Sequence, residues 1–284
     1  MPLPLVDAAR YVTPLREGGS LPAVVEDARG DLWVVKFRGA GQGARALLAE
    51  LLAGGLARRL GLPAAELALV RLASGFGHAE PDPEIQDILK GSEGLNVGLR
   101  FLDGAFNYET AAFSDVVDPA LAAAVVWFDA LTLNVDRTPR NPNLLVTPAD
   151  DGAPRVWLID HGAALYVHHN WPSATDERAR RPFPLIEQHV LLPVASSITD
   201  ADVRLAPRLT PALLDDALAD LPDDLLTAAP PGHEAPFASG EAARGAYRTF
   251  LAARLGAPRA WVEAAEAARE AAQGATPERL GYRR

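Results

Sequence analysis

Residues Phe128–Val146, FDALTLNVDRTPRNPNLLV, followed by Val156–Gly162, VWLIDHG, constrain this chain more than any other stretch. They read as a helix end, a polar loop carrying Asp136 and Asn141, and two short apolar strands, the second running into Asp160. Three of the chain's six asparagines, Asn134, Asn141 and Asn143, fall within ten residues here, in a sequence otherwise rich in Ala, Leu and Pro. The segment supplies one carboxylate for a hydroxyl proton and two oxygen ligands for a hard cation. Taken singly, Asp and Asn in polar loops are turn formers, through side-chain to backbone hydrogen bonds. The weight rests on the three together. A phosphoryl-transfer site needs these parts, because its catalysis is mostly positioning and charge neutralisation around a metal-bound triphosphate.

The basic residues carry a second signal. Of 27 lysines and arginines only Lys36 and Lys90 are lysine. Lys36 ends the β-branched and aromatic run DLWVVKF, which reads as a strand. A compact ammonium on a flexible stem reaches between phosphates in a way a planar guanidinium does not reproduce. On an ordinary edge strand such a lysine would only lie along the surface; the arginine background argues for a specific use. Downstream, ARALLAELLAGGLARRLG reads as a helix ended by Gly61 and Pro63. Glu50 lies on it among leucines and alanines, and needs a partner if it is buried. Two readings stand: a solvated carboxylate beside Arg45, or a salt bridge that orients Lys36.

Composition excludes several classes. The net charge of −10 argues against a nucleic-acid surface, and no cysteine is present for a disulfide, thiolate metal site or thiol nucleophile. The start, MPLPLVDAARYVTPL, has neither the basic residues nor the apolar run of a signal peptide, and no apolar stretch has membrane-spanning length. The expectation is a soluble, cytoplasmic protein.

Strands are expected at residues 10–16, 23–27, 31–37, 68–72 and 95–102, with EGGSLP as a Gly-containing turn and a short helix near 83–90. DGAFNY, Asp103–Tyr108, is a Gly-containing break and a candidate hinge. Beyond it the chain turns helical, over 119–133, 210–219 and 240–272. The expected fold is α+β in two lobes: residues 1–103, an antiparallel sheet with one helix, and residues 104–284, mainly helical and carrying the polar loop.

Lys36 after a strand, Glu50 on the next helix, Asp136-Arg137 with Asn141 five residues after the Asp, and Asp160 at a strand end resemble the protein-kinase-like superfamily. The segments EGGSLPAVVED, WVVKF, AELLAGGLARRLGLP and LIDHG resemble most the HipA-like kinase domain family, over most of residues 10–170. The resemblance implies a protein-kinase-like fold binding ATP and Mg²⁺ in a cleft between the lobes. Lys36 would contact the α/β-phosphates, with Glu50 holding it, and Gly18, Gly19 and Ser20 would cover them. Asp136 would receive the hydroxyl proton, and Asn141 and Asp160 would bind Mg²⁺. Arg100, Phe101 and Leu102 would lie along the adenine. The acceptor implied is a protein serine or threonine.

Two positions depart from the pattern: Thr138 stands where HipA and phosphoinositide kinases carry His, and His161 follows Asp160 where many eukaryotic-type kinases have Phe. Full-length HipA toxins also have an extra N-terminal subdomain, for which this chain leaves no room before its first strand, so a toxin role and an antitoxin partner do not carry over from the resemblance. The alternatives are a nucleotide-binding pseudokinase and a small-molecule kinase. His161, His168 and His169 have no zinc-ligand spacing. Asp129 is expected to brace the polar loop. Ser20, Ser173 and Thr175 are candidate phosphorylation sites, the last two beside Arg178, Arg180 and Arg181. The acidic stretch Asp215–Asp224 reads as a solvated helix face or as a contact for a cationic substrate.

Overall fold

Valine, alanine, leucine and tryptophan at alternating positions of five short strands form a sheet that closes on itself. The computed structural model describes residues 3–15, 21–41, 43–78, 80–148, 154–229 and 232–274. The strands are β1 (Leu5–Pro14), β2 (Ala23–Asp27), β3 (Leu32–Lys36), β4 (Leu67–Leu72) and β5 (Gly94–Arg100), in the order β1-β2-β3-β5-β4. The sheet is antiparallel as expected except at one seam. There Leu5, Val6 and Asp7 pair in parallel with Leu69, Val70 and Arg71, and this closes the barrel. Val6, Val25, Trp33, Val35, Val70 and Leu72 fill its interior, each apolar side chain contributing on the order of 1.5–3 kcal/mol of transfer free energy.

Two helices interrupt the strands, α1 (Gly43–Arg59) and α2 (Pro83–Lys90), the second being the short helix expected near 83–90. Asp82 caps α2, its side chain accepting from the Glu84 N–H at 3.0 Å. Every residue of α1 from Leu47 to Ala57 is buried. Such a helix, apolar all round, belongs between two packed layers. It lies against β4 and β5 and also against helices of the C-terminal part, so Glu50 has no route to water.

The second part begins with β6 (Phe106–Asn107), inside the expected break, and pairs it with β7 (Leu144–Thr147), which pairs with β8 (Arg155–Leu158). Around this three-stranded sheet lie α3 (Thr110–Phe113), α4 (Pro119–Thr132), α5 (Asp176–Arg180), α6 (Ile198–Leu205), α7 (Pro211–Ala219), α8 (Asp223–Leu226), α9 (Gly240–Leu255) and α10 (Ala260–Gly274). Strands therefore dominate the N-terminal part and helices the C-terminal part. The helix expected over 240–272 is two, because Gly256 and Pro258 end the first. Three of the five acids of the Asp215–Asp224 stretch are engaged within the chain: Asp215 pairs with Arg248, Asp220 with Arg59 and Asp223 with Arg244.

Helix α4 is the pillar under the polar loop. Asp118 caps its start, accepting from the Leu121 N–H at 2.8 Å, and Pro119 follows at the first helical position. Its end is capped by Leu133 in the left-handed region at φ 56° and by a buried arginine. Arg254 of α9 donates to the carbonyls of Ala130 and Leu131, where the helix dipole is negative, and to those of Ala179 and Arg181. Burial lowers its guanidinium to about 9.

Candidate active site

Lys36, at the end of β3, is buried and bonded to two carboxylates at once. Its Nζ lies 2.6 Å from Glu50 Oε2 and 2.5 Å from Asp160 Oδ1. Of the two readings open for Glu50, the Lys36 pair is the one formed; Arg45 instead donates to the His169 carbonyl at 3.2 Å. Glu50 also accepts from the His161 N–H at 2.9 Å, with His161 Nδ1 3.3 Å from its other oxygen. The residue after Asp160 thus ties the end of the β8 segment to α1. Burial alone would raise the Glu50 carboxyl, but the Lys36 charge and the His161 hydrogen bond hold it well below the usual carboxylate range. Burial likewise works against the Lys36 ammonium, and the Glu50 and Asp160 charges outweigh it and raise Lys36 above its ordinary value. Asp160 itself has left-handed backbone, φ 54°, a conformation that Asp tolerates better than most residues.

The polar loop is fixed from beneath by a cluster centred on Asp129 of α4, which is completely buried. Its Oδ1 accepts from Asn134 Nδ2 at 3.0 Å, and its Oδ2 accepts from Arg137 Nε and from His189 Nε2, 2.9 Å away. The Leu191 N–H donates to His189 Nδ1 at 3.1 Å, which places the ring proton on Nε2, facing Asp129. Burial would raise Asp129, and the Arg137 charge and His189 hydrogen bond pull it well below its ordinary range. Arg137 in turn donates to the carbonyls of Asn143 and Ile159, joining the loop to β7 and β8.

On that base Asp136 is held through its neighbours. Its N–H donates to Asn134 Oδ1 at 3.1 Å, and its Oδ2 accepts from Asn141 Nδ2 at 2.8 Å and Asn143 Nδ2 at 3.3 Å. Of the three asparagines that stand out in the sequence, Asn141 and Asn143 hold this carboxylate and Asn134 holds the Asp136 backbone N–H. Asp136 Oδ1 is left open, as is the amide oxygen of Asn141.

Lys36, Asp160, Asn141 and Asn143 line one cavity of about 1070 Å³, together with Arg100, Phe101 and Leu102 after β5. The Arg100 guanidinium is turned to Asp31, 2.7 Å away, and lies over the Trp33 ring. Of the segment proposed along adenine, Phe101 and Leu102 remain as uncommitted wall. Gly18, Gly19 and Ser20 lie outside the described residues. Asn141 and Asp160 suit Mg²⁺: with Asn141 Nδ2 on Asp136 and Asp160 Oδ1 on Lys36, each keeps one hard oxygen free. Two protein oxygens suffice only if phosphate and water complete the shell, and among the described residues no cluster of three acids or histidines offers a self-sufficient metal site.

A sequence model of HipA-like kinases matches residues 10–181, more than half of the chain. The chain belongs to the HipA-like kinase family. This kinase is also similar in structure to the proinflammatory kinase CtkA of Helicobacter pylori, with a TM-score of 0.55 at 14% identity, covering 94% of this chain and 98% of that one. At that identity the likeness speaks for the fold. No curated protein is significantly similar in sequence. Among the described residues no single helix of the kinase is long and apolar enough to cross a membrane.

Sequence reasoning missed His161 as a partner of Glu50, His189 as a partner of Asp129, and Arg254. His189 lies 60 residues from Asp129 and His161 lies 111 from Glu50, so no spacing could pair them. His161 and His189 are buried and bonded within the fold, and His168, also buried, has its Nδ1 2.9 Å from the Tyr247 hydroxyl of α9.

Proposed function

We propose that this HipA-like kinase is an ATP- and Mg²⁺-dependent phosphotransferase that moves the γ-phosphate to a hydroxyl, with protein serine or threonine as the acceptor class. The barrel of residues 1–103 and the helical part of residues 104–284 serve as the two lobes, with the nucleotide between them in a cytoplasmic setting. The observation that carries the reading is the cavity that holds Lys36, braced by Glu50 and Asp160, together with Asn141, whose amide bonds the Asp136 carboxylate.

Each residue then has a task set by its own bonds. Lys36 presents its ammonium to phosphate oxygens, and Glu50 keeps that ammonium oriented and charged. Phe101 and Leu102 give the adenine an apolar wall. Asp136 receives the acceptor's hydroxyl proton at Oδ1, while the Asn141 and Asn143 amides fix its Oδ2. Asn141 and Asp160 would hold Mg²⁺, which supplies charge neutralisation of the phosphates when bound. Thr138 carries no imidazole, so the proton goes to Asp136 without a histidine two residues on.

The test is mass spectrometry of the protein and of a serine/threonine peptide library after incubation with Mg²⁺ and ATP. Phosphate on serine or threonine supports the reading. ADP release with no phosphate on any protein or peptide overturns the acceptor class in favour of a small molecule. Nucleotide binding without ADP release, with every acceptor class supplied, points to the pseudokinase.

A further inference from the structure

We propose that Arg140 is a second catalytic cation of this kinase, its guanidinium contacting the transferring phosphoryl group; the inference rests on the nucleotide-binding reading above.

Around the phosphate end of the site, Lys36 contributes one positive charge, against negative charges on Glu50, Asp160 and Asp136. The protein's own groups there are net anionic before a triphosphate adds its charge, and bound Mg²⁺ offsets only part of the sum. Transfer moves charge onto the oxygens between donor and acceptor, where a fixed cation is worth most. Among the described residues, three basic side chains line the cavity: Lys36, Arg100 and Arg140. Lys36 is held by two carboxylates, and Arg100 by Asp31 and the Trp33 ring. Arg140 is the uncommitted one: among the described residues it forms no ion pair and no hydrogen bond.

Its placement is equally specific. Arg140 lies four residues after Asp136 and directly before Asn141, so it sits between the proton acceptor and a metal ligand along the chain. The backbone there is a tight hairpin turn. The Thr138 N–H donates to the Asn141 carbonyl at 3.0 Å and the Asn141 N–H returns to the Thr138 carbonyl at 3.1 Å. The Thr138 hydroxyl also accepts from the Asn141 N–H, at 3.3 Å. Pro139 and Arg140 form the tip, and proline fixes one of its two φ angles. A guanidinium that no residue holds would ordinarily be solvated and mobile. Here its backbone is set by the same loop that holds Asp136, so little further ordering is needed for it to meet a phosphate through two parallel N–H bonds.

The experiment compares wild type with Arg140→Ala and Arg140→Lys. Turnover of ATP should fall by roughly 100-fold in Arg140→Ala, with the KM for ATP changed by less than about threefold, since the contact strengthens in the transition state. Guanidinium ion added to Arg140→Ala should restore part of the rate and do nothing for wild type. A readout independent of turnover is binding of Mg·ADP with and without aluminium fluoride. Aluminium fluoride should tighten Mg·ADP binding in wild type by on the order of 100-fold and by much less in Arg140→Ala, with equal Mg·ADP affinity in its absence. An equal gain in the two proteins, zero gain included, overturns the proposal while leaving the nucleotide site standing. Failure of wild type to bind Mg·ADP overturns the nucleotide reading, and this proposal with it.

Discussion

Asp129→Asn is the sharpest structural test of how the polar loop is held. The three side chains around Asp129 are all donors: Asn134 Nδ2 on one oxygen, Arg137 Nε and His189 Nε2 on the other. An asparagine has the same volume, so no cavity forms, but its NH₂ must face at least one donor whichever way it is turned. It also leaves Arg137, whose side chain is 0% exposed, without its counter-charge. Removing one partner of a buried pair costs about 3–5 kcal/mol, a large share of a total of roughly 5–15. At about 2–4 °C per kcal/mol for a chain near this size, the melting temperature should drop by about 6–20 °C. Arg137 directly follows Asp136, so activity measured well below the transition should also fall, by on the order of 100-fold for a displacement near 1 Å. The assay is thermal unfolding followed by circular dichroism, beside ATP turnover at low temperature. A melting temperature within about 2 °C of wild type, with full turnover, would refute the claim that Asp129 braces the polar loop.

The same carboxylate gives a pH prediction. Asp129 is held below its unfolded value, so its contribution is present above about pH 4 and lost as pH falls toward the depressed folded value. The stability gap between wild type and Asp129→Asn should therefore narrow on acidification, and a gap that widens would reverse the sign of the argument. Lys36→Arg should lower kcat/KM for ATP by at least roughly 100-fold despite keeping the charge, because a planar fork cannot occupy a point between Glu50 and Asp160 only 2.6 and 2.5 Å from the ammonium; steady-state kinetics decide it. Gly39→Ala places a Cβ 2.7 Å from the Ile88 carbonyl oxygen and 2.8 Å from the Gly91 carbonyl carbon, which are backbone atoms and cannot swing aside. It should destabilise by about 1–3 kcal/mol. Gly245→Ala in α9 meets nothing within 4 Å and should be neutral or stabilising in the same denaturation series.

Much of the site is legible in the sequence because its chemistry is carried by local signals. Lys36 ends a strand that the β-branched run announces, and its rarity among arginines marks it. Asp136, Asn141 and Asn143 are drawn together by one short loop, so their spacing alone puts them within reach of each other. What the sequence leaves hidden depends on contacts across the fold. Glu50 chooses Lys36 over Arg45 because α1 is buried between the barrel and the C-terminal helices, where only the inward neighbour is available. The parallel seam of β1 with β4 has no turn or hairpin signal, since the two strands are joined through the rest of the barrel. The break between α9 and α10 is written in Gly256 and Pro258, yet the strong alanine pattern on both sides masks it. His161, His189 and Arg254 find their partners only after packing, and a lone histidine or arginine carries no sign of which distant group it will meet.

The proposal that this kinase uses Asp136 to move phosphate from a bound Mg·ATP is decided by transfer from γ-labelled ATP by wild type beside Asp136→Ala, with nucleotide binding followed in both by the shift in melting temperature. Labelled phosphate should leave ATP only with wild type, with a fall of roughly 1000-fold or more in the variant, and Mg²⁺-dependent stabilisation by ATP should be equal in both. Equal transfer by the two proteins, or no stabilisation of wild type by Mg·ATP, would contradict it.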